Sequence, residues 1–217
     1  MPSLVQSVAP LLEPISLPEA KAHLRVGIND DDQLIESCIR TARWNLERTY
    51  RFACLTQTLV QGMDWFGQAE YLWDMWWPVG WWPPQAYGYP LTSVLELRPP
   101  VQSVTSVTYT DTAGNPQTLA PAGYLVDGSS WPARILPARN TTWPASAQVP
   151  NAVVITYVAG YTDPTLVPDD IRQSLKLIIG DLYENREQSL VGSRLAVVEL
   201  PRGVDDLMAP YKFPLVR

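Results

Sequence analysis

Helical periodicity is confined to the two ends of this sequence, and the long stretch between them is broken by prolines too closely spaced for a helix to cross. An interior proline removes a backbone donor and clashes with the preceding helical turn, at a cost of about 3 kcal/mol or more. Pro83-Pro84, Pro99-Pro100, Trp131-Pro132 and Trp143-Pro144 all fall in the middle of the chain, which must therefore be extended or looped. Helices set apart from strands in this way indicate an α+β chain.

At the first end, Ser16-Leu17-Pro18-Glu19 has the spacing of a capping box, with Ser16 accepting from the Glu19 amide and the Glu19 side chain returning to the Ser16 amide. The spacing predicts a short helix to about Arg25, stopped by Gly27. Asn29-Asp30-Asp31-Asp32 then offers an N-cap and first-turn carboxylates for a longer helix. Leu34, Ile35, Cys38, Ile39, Ala42, Leu46 and Tyr50 recur at three- and four-residue steps, while Glu36, Arg40, Arg43 and Glu47 take the other side as surface charges. At the second end, Pro168 precedes Asp169-Asp170 and a stripe of Ile171, Leu175, Ile178, Ile179, Leu182 and Tyr183. A short helical candidate, Val204 to Tyr211, sits in an otherwise extended tail.

From Leu55 the pattern turns to β-branched and alternating residues. Candidate strands end at Trp65-Phe66 and resume at Val94 to Leu97, Val101 to Thr110, Thr118-Leu119, Tyr124 to Val126, Ile135-Leu136 and Ala152 to Val158, with a turn at residues 111 to 115. Short strands at this spacing indicate an antiparallel sandwich or small barrel. The expected organisation is a discontinuous helical core, residues 1-54 and 166-217 with a C-terminal tail, and an inserted β domain over 55-165. Within that insertion, Trp73, Trp76, Trp77, Trp81 and Trp82 are interleaved with Gly and Pro, so residues 67-90 read as a long loop.

Chemistry is sparse. The chain has one histidine, His23, so any histidine-based triad or metal site must use it. Cys38 lies on the apolar stripe of the long helix, where a cysteine acts as a small hydrophobe, and Cys38 and Cys54 have no CxxC spacing. Asp30-Asp31-Asp32, Asp169-Asp170 and Asp205-Asp206 sit at helix starts, where capping accounts for them. No phosphate-loop, zinc-protease or nucleophile-elbow motif occurs. No residue is assigned to catalysis, to a cofactor or to a metal, and the expected class is non-enzymatic. A net charge of -6 opposes tight nucleic-acid binding, which needs clustered Lys and Arg. Arg40, Arg43, Arg48 and Arg51 suggest a basic face, but Glu36 and Glu47 on the same helix favour ordinary ion pairs. No run approaches about 20 apolar residues, so no membrane span is expected. The N-terminus lacks the basic start of a signal peptide.

Five solvated tryptophans in ten residues would be an aggregation liability for a monomer. They are interface candidates, with packing inside the same chain close behind and sugar stacking third.

The order of segments resembles a known family. Residues 13 to 26, Glu13-Pro14-Ile15-Ser16-Leu17-Pro18-Glu19 through His23-Leu24-Arg25-Val26, with Asp30-Asp31-Asp32-Gln33-Leu34-Ile35 and Glu47-Arg48-Thr49-Tyr50, resemble the opening of head-tail connector (adaptor) proteins of tailed phages. Val167-Pro168-Asp169-Asp170-Ile171 running into Leu182-Tyr183-Glu184-Asn185-Arg186 is similar to that family's last long helix. Pro100 to Val107, Tyr109, Gly114, Tyr124 and Ile155 to Tyr161 look like the β insertion of its longer members, and Leu200 to Val204 with Pro210-Tyr211 look like its tail end. The resemblance implies a virion protein of the neck, made in the host cytoplasm. It implies a ring of typically twelve copies beneath the portal protein, offering its other face to stopper or tail-completion proteins, with genomic DNA as a passing, non-specific neighbour. The extended tail from about Gly192, with Tyr211, Phe213 and Leu215, is the candidate for docking on the portal. The competing reading is a carbohydrate- or host-surface-binding β module that displays its tryptophans.

Overall fold

The computed structural model describes residues 3-66, 94-185 and 202-212. The chain divides into two compact units, one of Met1–Ala9 with Thr56–Gly160 and one of Pro10–Leu55 with Tyr161–Arg217.

Among the described residues the first unit is built on β-strands, with one 3-10 turn at Pro121–Gly123. Strands β1 (Ser3–Val8), β2 (Gln57–Met63), β3 (Leu95–Leu97), β4 (Val101–Thr110), β5 (Pro116–Leu119), β6 (Tyr124–Asp127), β7 (Ala133–Pro137) and β8 (Val153–Ala159) form two antiparallel sheets. One has the order β1-β2-β8-β4-β5 and the other β3-β7-β6. Both sheets are open, so of the two expected β architectures the barrel is not formed.

Strand β8 shows why the large sheet holds its register. Val153, Ile155, Tyr157 and Ala159 are buried and the residues between them are half-exposed, so a one-residue slip would turn the apolar set to water. The buried Gln61 and Tyr157 tie the sheets together. The Tyr157 hydroxyl donates to Gln61 Oε1 at 3.0 Å, Gln61 Nε2 donates to the Glu96 carbonyl at 3.0 Å, and the Arg98 amide donates to the Tyr157 hydroxyl at 3.2 Å. Buried polar groups satisfied in this way fix one arrangement of a core.

Strand β1 is an edge strand found at a position the sequence reading left without structure. Pro10 follows it closely and five of its six residues are exposed, so it carries no alternation of its own. Its pairing with β2 gives it shape, with a bulge between Gln6 and Val8.

The second unit is helical. It contains α1 (Leu17–Leu24), α2 (Asp32–Tyr50), α3 (Asp169–Glu184) and the short α4 (Arg202–Leu207), which runs on into a 3-10 turn at Ala209–Tyr211. Its core is built from Ile15, Ala20, Ile35, Leu46, Phe52, Ile171 and Leu175, each at most 1% exposed. Fully burying such a Leu, Ile or Phe is worth about 1.5–3 kcal/mol.

The helix ends differ in detail from their sequence signals. Ser16 caps α1 by accepting from the Glu19 amide at 3.4 Å, but the Glu19 carboxylate does not return to complete a box. It is bound by Arg172 at 2.7 and 2.8 Å and by Lys176 at 2.9 Å. Helix α1 also ends before Gly27, at Arg25, which takes the left-handed conformation (φ 58°) while the amides of Arg25 and Val26 bond back to Ala22 and Lys21. At the start of α2 the carboxylates serve tertiary contacts more than capping. The Tyr183 hydroxyl donates to Asp31 Oδ2 at 2.6 Å, and Lys21 meets Asp32 at 2.6 Å.

Candidate interaction surfaces

Helix α2 assigns its charged residues to two environments. Arg43 and Glu47, expected on the wet side, are 8% and 5% exposed. Arg43 donates to both Glu13 oxygens, at 2.7 and 3.3 Å, and to Glu47 Oε2 at 3.0 Å; the Cys54 amide donates to the other Glu47 oxygen at 2.8 Å. Burial alone would lower the Arg43 pKa, but Glu13 and Glu47 outweigh it and hold the guanidinium charged. The group locks the segment entering the unit, at Glu13, to the segment leaving α2, at Cys54.

The remaining outward residues of α2 form one stripe. Gln33, Glu36, Ser37, Arg40, Thr41, Trp44, Arg48 and Thr49 are exposed and recur at three- and four-residue steps. Trp44 is 56% exposed, and the Arg48 guanidinium lies over its ring at 5.2 Å. Sequence reasoning took these arginines as ordinary ion-pair partners and did not single out Trp44. The helical period carried that information once the buried face was known. Arg40 reaches Glu36 only at 3.9 Å, with both side chains more than half exposed, so that pair contributes little.

The C-terminal helix is seated rather than free. Val204 and Met208 are 0% exposed. The Tyr50 hydroxyl donates to Asp205 at 2.8 Å, and Lys212 meets the same carboxylate at 2.9 Å with its ammonium 5.9 Å from the centre of the Tyr50 ring. Lys212 and then Tyr50 hold the Asp205 carboxyl below its ordinary pKa; burial, followed by Asp205, raises that of Tyr50. Tyr211, one of the tail candidates, is half-buried in the closing turn, and its pKa is raised by burial and by Asp170. Phe213, Leu215, Trp73, Trp76, Trp77, Trp81 and Trp82 lie outside the described residues.

Among the described residues, the cysteines and the histidine do not gather. Cys54 is fully buried, and burial followed by Glu47 raises its thiol well above the ordinary range. Cys38 is buried on α2 and His23 is exposed on α1. Among the described residues no three His, Cys, Asp or Glu side chains are grouped to hold a metal ion, and no helix is long and apolar enough to cross a membrane. An open groove of about 640 Å³ runs beside Leu11, Leu12, Ile39, Arg40, Pro164 and Arg172. Leu11 on its rim is 97% exposed.

No protein-family model matches the chain, and no curated protein sequence matches it. Solved structures do. A chain in the neck of an empty gene transfer agent (GTA) particle, computed with C6 symmetry, superposes with a TM-score of 0.69 at 21% identity, covering 97% of this chain and 95% of that one. A chain in the virion of the native gene transfer agent particle gives 0.67 at 19% identity, over 96% and 94%. One in the neck of the native particle, computed with C12 symmetry, gives 0.64 at 19% identity, over 97% and 94%. At these identities the fold is what is shared, and it is shared over nearly the whole of each chain.

Proposed function

We propose that this chain is a non-enzymatic head-tail connector, or adaptor, of a tailed phage-like particle. In this reading it forms a ring in the neck beneath the portal, extends the DNA channel and offers a docking surface to stopper or tail-completion proteins. The observation that carries it is the shared fold with chains of GTA necks, which takes in both the helical and the β unit. The same segments that resemble the connector family form the described helices α1, α2 and α3 and strands β4 and β8.

The division of labour follows from the chemistry. The helical core expected over residues 1-54 and 166-217 would build the ring and the β insertion 55-165 would reach its neighbours, except that the first residues, which form strand β1, belong to the β unit. Trp73, Trp76, Trp77, Trp81 and Trp82 would serve as contacts within or between subunits, and Tyr211, Phe213 and Leu215 as the portal contact. A net charge of -6 suits a channel wall along which DNA slides without being held. Electron microscopy of the purified chain, alone and with portal-bearing head particles, tests the reading. A ring with a central hole, formed free or on the portal vertex, is expected; a chain that forms no ring under either condition would refute it.

A further inference from the structure

Helix α4 and the turn that closes it carry the chain toward the start of α3. A Cβ on Gly203 would lie 3.4 Å from Leu177. Further along, the pKa of Tyr211 is raised by burial and by the Asp170 carboxylate, which lies about two helical turns before Leu177. Lys212 then leaves the turn in an extended conformation (φ -66°, ψ 131°). The open groove lies at the same end of α3. Pro164, Thr165 and Arg172 line it together with Leu11, Leu12 and Ile39. Apolar side chains at or beside it are left to water: Leu11 is 97% exposed, and Leu12 and Leu166 are each 58% exposed. Among the described residues, Glu36 is the lining carboxylate without a close partner. Arg40 is 3.9 Å from it, whereas Arg43 binds Glu13, and Arg172 and Lys176 bind Glu19.

We infer that Phe213-Pro214-Leu215-Val216-Arg217 folds back into this groove of its own chain, with Phe213 over Leu166, Leu215 against Leu11 and Leu12, and Arg217 toward Glu36. The segment follows directly on Lys212, and five extended residues span about 16–18 Å, enough to pass the start of α3. Pro214 holds Phe213 extended. Phe213 and Leu215 then fall on one face, where exposed leucines await them. The segment carries one cation and no acid, which suits a lining whose loosely held charge is Glu36. So short a tether sets an effective concentration of about millimolar, and at micromolar protein the chain's own segment outcompetes that of a second copy. Phe213 and Leu215 are also the residues proposed above to meet the portal. In the free chain the groove therefore withholds them, and the portal must draw them out. The withholding rests on the ring reading, whereas the seat in the groove does not.

Disulfide trapping in the full-length chain tests the seat, since the native Cys38 and Cys54 are both buried. Under mild oxidant at micromolar protein, Leu11→Cys/Leu215→Cys should close an intramolecular disulfide at a rate independent of protein concentration. Closure should be about 10-fold faster than in Ile28→Cys/Leu215→Cys, whose residue 28 is exposed but does not line the groove. Adding Leu12→Glu should slow it about 10-fold, the loss expected when one leucine contact is removed. Circular dichroism confirms that each variant is folded. Equal rates for the two cysteine pairs overturn the inference, as does a disulfide that forms between chains and faster at higher concentration, which would give the groove to a second copy. In a chain with no added cysteine, Leu12→Glu should lower the midpoint concentration for binding to portal-bearing head particles about 10-fold, because the competing seat is weakened. An unchanged midpoint overturns the withholding. A wild-type chain that binds no head particle overturns the portal reading, while the disulfide rates still decide the seat.

Discussion

Arg43 is the residue on which most of the helical unit's polar chemistry converges. Its guanidinium satisfies Glu13, which is partly exposed, and Glu47, which is buried, at once. Removing one partner of a buried pair strands the other charge, so Arg43→Ala should cost about 3–5 kcal/mol of unfolding free energy in a denaturant titration. Arg43→Lys should recover only part, because a point charge cannot make the same forked contacts. Glu19 yields a second expectation. Partial burial works to raise its pKa, yet Lys176 and Arg172 outweigh that and hold it below the ordinary carboxylate range. A carboxyl depressed in the folded state stabilises above its unfolded pKa and loses that contribution as pH falls through the folded one. Thermal melts from pH 5 downward should therefore show a steeper acid loss for the wild type than for Glu19→Gln. These roles were only half legible. The apolar stripe of α2 was readable from its spacing, and all its members except the half-buried Leu34 are buried. Arg43 and Glu47 looked like a surface pair because their i, i+4 spacing is the same in either setting. What buries them is Glu13, thirty residues earlier, and the amide of Cys54, neither of which a helical period can announce.

Elements whose residues alternate or repeat on their own were the readable ones. Strand β4 matches its expected range, and β8 falls within a residue of it, because β-branched residues recur along both. Strand β1 was missed because an edge strand exposed on both faces leaves no such trace. Helix α4 lies between these cases: its position was legible and its role was not. Val204 and Met208 turn a segment read as tail into part of the core. Met208→Ala should accordingly destabilise the chain by about 2–5 kcal/mol, as cavity-forming changes at buried sites do. Tyr50→Phe, which loses only the hydrogen bond to Asp205, should cost about 1 kcal/mol. Denaturation midpoints of the two variants, compared side by side, check both the size and the order. Near-wild-type stability for Met208→Ala would mean that α4 contributes little to the fold.

Across the whole molecule, an assembly contact must satisfy a charge balance as well as a shape. A chain of net charge -6 repels its own copies at long range, so a ring of such chains needs local contacts strong enough to overcome that repulsion. Two kinds of residue can supply them. Opposed charged stripes contribute a term that salt screens, since the Debye length is about 10 Å at 0.1 M and about 3 Å at 1 M. Buried tryptophans contribute a term that salt does not screen, each covering roughly 150 to 250 Å². The balance is therefore measurable. If the tryptophans between Trp73 and Trp82 join subunits, a chain lacking residues 72-82 should lose assembly at every ionic strength, by native mass or light scattering. If they pack only within their own chain, the deletion should leave assembly in place, and any contact that remains through surface charges should weaken as salt rises.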